Sequence, residues 1–251
     1  MRRSQDFGMK AEHENPVEES FSVDANPDPT SASLESTLTE DLALARLESR
    51  DLTDEAIEEV TASAGLMKSR KVRLALAAHP RTPRRIALRL IRELYTFDLM
   101  RFSLMPAVAA DLKRLADQLL VSRMSSITLG ERISFARRSS GLVATALLTD
   151  KETRVWQAAL ENPRVTETAI VNALQRPNTT AAFVEAVCHH AKWSLRPEIR
   201  MALLRNAHTP MARAVEFVRR IPPPLLRDIL HASRLPERIK EYLQKALHNR
   251  K

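Results

Sequence analysis

The sequence predicts an all-α chain: an α-solenoid in which short helices stack into a superhelix, behind a disordered acidic N-terminal tail. Three observations carry that expectation. Only 4 of the 251 residues are Gly, too few for the φ > 0 positions that hairpins and phosphate-cradling loops need. The composition is 44 % hydrophobic but only 4 % aromatic, and from Lys71 onward the apolar residues fall at helical spacing without strand alternation. A Pro-containing corner recurs along the chain from Lys71 onward. The organisation read from these patterns is a tail over 1–36, capping helices over 37–66 and a helical repeat domain over 67–251.

The tail is read from Pro16, Pro27 and Pro29, several Ser and many acids with little periodic hydrophobicity, a composition that cannot bury enough apolar surface to order itself. Helical pattern begins at Thr37-Leu38-Thr39-Glu40, which fits a capping box with Thr37 as the cap. A second helix is expected over Asp54 to Ala64, closed by Gly65 in the left-handed conformation.

Beyond Lys71 the informative feature is internal repetition. The segment Val72 to Pro83 aligns without a gap on Ile199 to Pro210, and the same phase fits Val155 to Thr166. The starts lie 83 and 44 residues apart, which reads as two stacked units and then one. In the corners, Thr82 and Thr209 are expected as N-caps, with Pro83 and Pro210 at the first helical position where a missing amide costs nothing. Helices this short are not stable alone, so each must cover its Ala/Leu face with its neighbours, as repeat proteins do.

The corner Asn/His-Pro-x-Thr/Val-Pro/Thr followed by a helix resembles the leucine-rich-repeat-variant group and the broader HEAT-like α-solenoids, over about residues 68 to 247. The resemblance is strong in three units and poorly defined between Phe97 and Thr149. It implies a right-handed superhelix and leaves activity open, because solenoids host many roles. The iron–sulfur cluster of the variant group's best-known member is not carried over: the chain has one Cys.

That single Cys also excludes a disulfide framework and a Cys-based zinc site within this chain. With Gly at 8, 65, 130 and 141 only, no dinucleotide or P-loop signature can be written. No cofactor, metal ligand set or catalytic residue is assigned. Cys188-His189-His190 is a tempting triplet, but adjacent helical residues point about 100° apart and do not converge. The longest mainly apolar stretch, Leu142 to Leu148, is far below the roughly 18 residues of a membrane span. With no apolar run behind Met1-Arg2-Arg3, the expected location is cytoplasmic.

Charge supplies the functional candidates. Residues 1–65 hold 5 Lys and Arg against 16 Asp and Glu, a net −11, whereas residues 66–251 hold 34 against 15, a net +19. A basic body attracts acidic protein or nucleic acid, and an acidic tail can also screen it in cis. Arg81, Arg84, Arg85, Arg89 and Arg92 cluster near one corner, with Arg85, Arg89 and Arg92 on one helical face. Arg73 and Arg200 recur at one repeat position, which Trp156 occupies in the third unit and where partial exposure is expected; a gap-filling role for Trp156 stays open beside it. The expected function is a non-catalytic scaffold that binds another macromolecule, in the first place a protein, along this basic surface. A nucleic-acid binder using phosphate contacts is the alternative. A HEAT-like DNA glycosylase ranks third, because no carboxylate stands one helical turn from Trp156 in the matching direction, where i+4 is Leu160.

Overall fold

The computed structural model describes residues 39–49, 52–219 and 221–248, the side chains of 247 and 248 excepted. The expected tail and the Thr37 cap lie outside these residues. Among them there is no strand. The helices are α1 (Glu40–Glu48), α2 (Asp54–Ala62), α3 (Arg70–Ala78), α4 (Arg84–Glu93), α5 (Thr96–Leu104) and α6 (Ala110–Ser122). After them come α7 (Leu129–Arg138), α8 (Gly141–Leu147), α9 (Thr153–Leu160), α10 (Glu167–Gln175) and α11 (Ala181–His189). The last four are α12 (Pro197–Leu204), α13 (Met211–Val218), α14 (Pro223–His231) and α15 (Glu237–His248).

Helix starts follow short-range chemistry. Thr39, Thr53, Ser69, Thr128, Ser140, Thr166 and Thr180 each accept an amide of the first turn through their hydroxyl oxygen, satisfying a donor the helix cannot. Thr39, two residues beyond the expected Thr37, caps α1. A complete capping box stands instead at Thr128 and Glu131. Gly65 also departs from expectation. It has φ −66° and precedes a 3₁₀ turn over Leu66–Lys68, while α2 already ends at Ala62.

The Thr of the recurring corner does a different job from the one expected. Thr82, Thr179 and Thr209 each donate their hydroxyl to a carbonyl six residues back, on Leu76, Ala173 and Leu203, at 2.6 Å in every case. They close the preceding helix rather than open the next, and Pro83 and Pro210 occupy the N-cap positions themselves.

Packing is local in sequence. Besides sequential pairs such as α3–α4, α5–α6 and α7–α8, the main contacts join alternate helices: α1–α3, α4–α6, α6–α8, α7–α9, α10–α12 and α13–α15. One apolar cluster runs through them from Ala43 to Leu243. The residue that ends a helix also ties it to the helix two before. His79, after α3, accepts the Arg81 amide on Nδ1, so its Nε2–H donates to Ser49 O beyond α1 at 3.0 Å. Asn162, after α9, donates to Ala136 O and Ser139 O at the end of α7, at 2.8 and 3.2 Å. Asn206, after α12, donates to Leu174 O of α10 at 2.7 Å. Arg123, after α6, reaches Leu94 O and Arg92 O at the end of α4.

These ties correct the reading of the repeat interval. Val72 to Val155 spans α3 to α9, whereas Val155 to Ile199 spans α9 to α12. Since alternate helices are the neighbours, the shorter step carries the motif from the odd-numbered set to the even-numbered one. Odd-numbered helices begin 24 to 33 residues apart and even-numbered ones 26 to 31.

Candidate interaction surface

Helix α4 places the Arg cluster. Its Ala87, Leu90 and Ile91 are buried, which turns Arg85, Arg89 and Arg92 outward. Two members of the cluster are engaged within the chain. Arg84 forms an ion pair with Asp111 of α6, and that guanidinium holds the Asp111 carboxyl below its ordinary range. Arg81 donates to Leu52 O at 3.3 Å. Arg85, Arg89 and Arg92 have no carboxylate within 4 Å among the described residues. They border a shallow depression with Leu88 and Glu93, so the patch keeps a positive excess.

Arg73 and Arg200 are both half-buried and lean on rings. The Arg73 guanidinium lies 5.8 Å from the Tyr95 centroid and that of Arg200 5.6 Å from Phe217. Arg200 also donates to Ser194 O at 2.7 Å. Sequence reasoning missed the neighbour that organises the first of these sites. Arg70 bonds Asp98 twice, at 3.1 and 3.0 Å, and stands 4.5 Å from the exposed Tyr95 ring. The available signal was Asp98 itself, an acid four residues before Phe102 on the buried face of α5.

Trp156, expected partly exposed, is only 5 % exposed and packs edge-on against Phe183 at 5.4 Å. It fills the space between α9 and α11. Trp193 is buried too, its indole N–H donating to Leu160 O at 2.9 Å. Asp150 borders the same recess as Trp156, a closeness that sequence spacing does not show. Its carboxylate takes two bonds from Arg132, at 2.9 and 2.8 Å, and one from the Glu152 amide at 2.9 Å. This is the geometry of a structural ion pair.

The Cys188-His189-His190 triplet does not converge. Burial pushes the Cys188 thiol up to about 12, which leaves it unreactive at neutral pH. His189 donates to Glu185 O, one turn back, while the Nε2 of His190 stands 3.2 Å from a Glu161 carboxylate oxygen. Among the described residues no group of three or more His, Cys, Asp or Glu could hold a metal ion, and no helix is long and apolar enough to cross a membrane. Comparison with protein-family models, curated proteins and solved structures yields no match.

Proposed function

We propose that the chain is a non-catalytic scaffold that binds an acidic partner protein, its alternate-helix packing continuing as a HEAT-like α-solenoid in the cytoplasm. The observation that carries this reading is the row Arg85, Arg89 and Arg92. These are three exposed cations on one face of one helix, without acidic partners among the described residues, beside Arg84, which Asp111 neutralises, and Arg81, which bonds a main-chain carbonyl. At i, i+4 and i+7 they span about 10 Å along the helix, a length suited to several carboxylates of one extended segment. Charge complementarity of this kind governs encounter rate and specificity more than affinity, so packed contacts elsewhere must supply the rest. Scarcity of exposed aromatics argues against a base-stacking platform and leaves nucleic acid the second choice.

The test is recovery of partners from a native lysate by full-length protein and by an R85E/R89E/R92E variant, each with and without nuclease. Proteins retained after nuclease by the wild type and lost by the variant support the proposal. Nuclease-sensitive recovery with a steep salt dependence assigns the row to phosphates instead.

A further inference from the structure

We infer that the recess between the α8–α9 and α10–α11 turns is an anchor pocket for an apolar side chain flanked by carboxylates, offered by a peptide segment of a partner protein. The recess has a volume of about 60 Å³, room for about four to six waters, which is the scale of one side chain and not of a nucleobase or a cofactor. Its floor is apolar: Leu148, Ala173 and Phe183 are all buried, and the small exposed part of Trp156 faces it.

The charged group on its rim without a partner among the described residues is a cation, Arg176. The indole N–H of Trp156 makes no hydrogen bond among the described residues and is not sealed off. Arg176 and Asn178 stand exposed on the rim, with no side-chain hydrogen bond or ion pair among the described residues. The one carboxylate present, Asp150, is neutralised by Arg132. Thr179 and Thr180 are committed to the backbone, the first sealing α10 and the second capping α11. The Arg176 charge repels a Lys or Arg side chain and, above the apolar floor, favours a leucine between glutamates. A few such buried anchors carry most of the affinity in protein–protein contacts, the part of the energy that surface arginines do not provide.

The wild-type chain carries its own probe and control. Two indole N–H resonances are present, one from Trp156 at the recess and one from Trp193, buried and bonded to Leu160 O; W156F assigns them. The uniformly ¹⁵N-labelled full chain is titrated with acetyl-Glu-Leu-Glu-amide, acetyl-Gln-Leu-Gln-amide and 4-methylpentanoate. The expected result is a saturable shift of the Trp156 resonance with the acidic peptide, an unmoved Trp193, and binding at least tenfold weaker with the neutral peptide and in R176Q. Thr149 is an exposed rim residue, so T149W blocks the mouth without entering the core and abolishes the shift. No response to the acidic peptide overturns the inference, as does equal binding of the neutral one. Saturation by 4-methylpentanoate alone reassigns the recess to a free small acid and overturns the partner reading. The R85E/R89E/R92E variant leaves this recess intact, so the two proposals fail separately.

Discussion

Asn162 Nδ2 donates to Ala136 O at 2.8 Å across 26 residues, and its own Oδ1 accepts the amide of Arg164 at 2.8 Å. A single side chain thus turns the chain after α9 and fastens α9 to α7. With Asn162 only 1 % exposed, truncation leaves the Ala136 and Ser139 carbonyls without this donor in a place water does not reach. Asn162→Ala is expected to destabilise by about 2–3 kcal/mol, and Asn206→Ala, half-buried with one carbonyl partner, by about 1 kcal/mol. Urea unfolding of the two variants checks the order; equal losses would mean the cross-helix bonds do not set it.

The Thr hydroxyls give a sharper test of position. Thr166 is a true N-cap whose oxygen accepts the Ala169 amide, so Thr166→Asp is expected to leave stability unchanged or to raise it by a few tenths of a kcal/mol. Thr209 is buried and donates to Leu203 O at 2.6 Å. An Asp there sets a carboxylate against a carbonyl, and Thr209→Asp is expected to cost about 3 kcal/mol or more. Thermal unfolding of the pair separates the roles, which the bare sequence makes look alike.

This ambiguity shows what was legible in the sequence. All-helical structure follows from missing Gly and helical spacing, both of which are local. The corner motif is equally local, so its three copies stand out although they lie on both sets of alternate helices. Which helices become neighbours depends on bonds such as His79 to Ser49 across 30 residues, and spacing along the chain does not encode them. Between Phe97 and Thr149 the pattern is faint because Arg123 and a 3₁₀ turn over Met124–Ser126 replace the usual corner. Of the candidate surface, the exposed face of α4 was readable from periodicity. The internal pairing of Arg84, the burial of Trp156 and the approach of Asp150 to it are tertiary facts.

Asp117 on α6 is a buried carboxyl that pH should expose. It is 6 % exposed and its Oδ1 has no hydrogen-bond partner. Burial raises its pKa above the ordinary 3.8, partly offset by the hydroxyls of Ser140 and Ser103. The fold therefore favours the protonated form, so the associated stability is complete below pH 3.8 and is lost as pH rises through the raised value. Asp117→Asn keeps the shape and removes the charge. It is expected to stabilise by about 1 kcal/mol at pH 7 by removing the desolvation cost of a buried charge, and the gain should vanish toward pH 4. A constant gain across that range would assign it to packing rather than to charge.

Two glycines distinguish helix propensity from close approach. Gly130, in the first turn of α7, has nothing within 4 Å of where a Cβ would sit, so Gly130→Ala should show the ordinary helical gain of about 0.5–1 kcal/mol. Gly141 begins α8, and there an added Cβ would stand 2.6 Å from the main-chain oxygen of Arg164. A backbone carbonyl cannot swing aside as a side chain can. Arg164 is also held through its amide by Asn162, so relief requires α8 to move away from the turn after α9. That shift opens the apolar contact behind Val143 and Ala144, both fully buried, at a cost of about 1–3 kcal/mol as for other overpacked sites. The steric loss exceeds the propensity gain, and Gly141→Ala is expected to lower the melting temperature while Gly130→Ala raises it. Opposite signs from one chemical change would locate the start of α8 against the turn after α9 as a point of backbone contact; a rise in both would show that α8 yields freely.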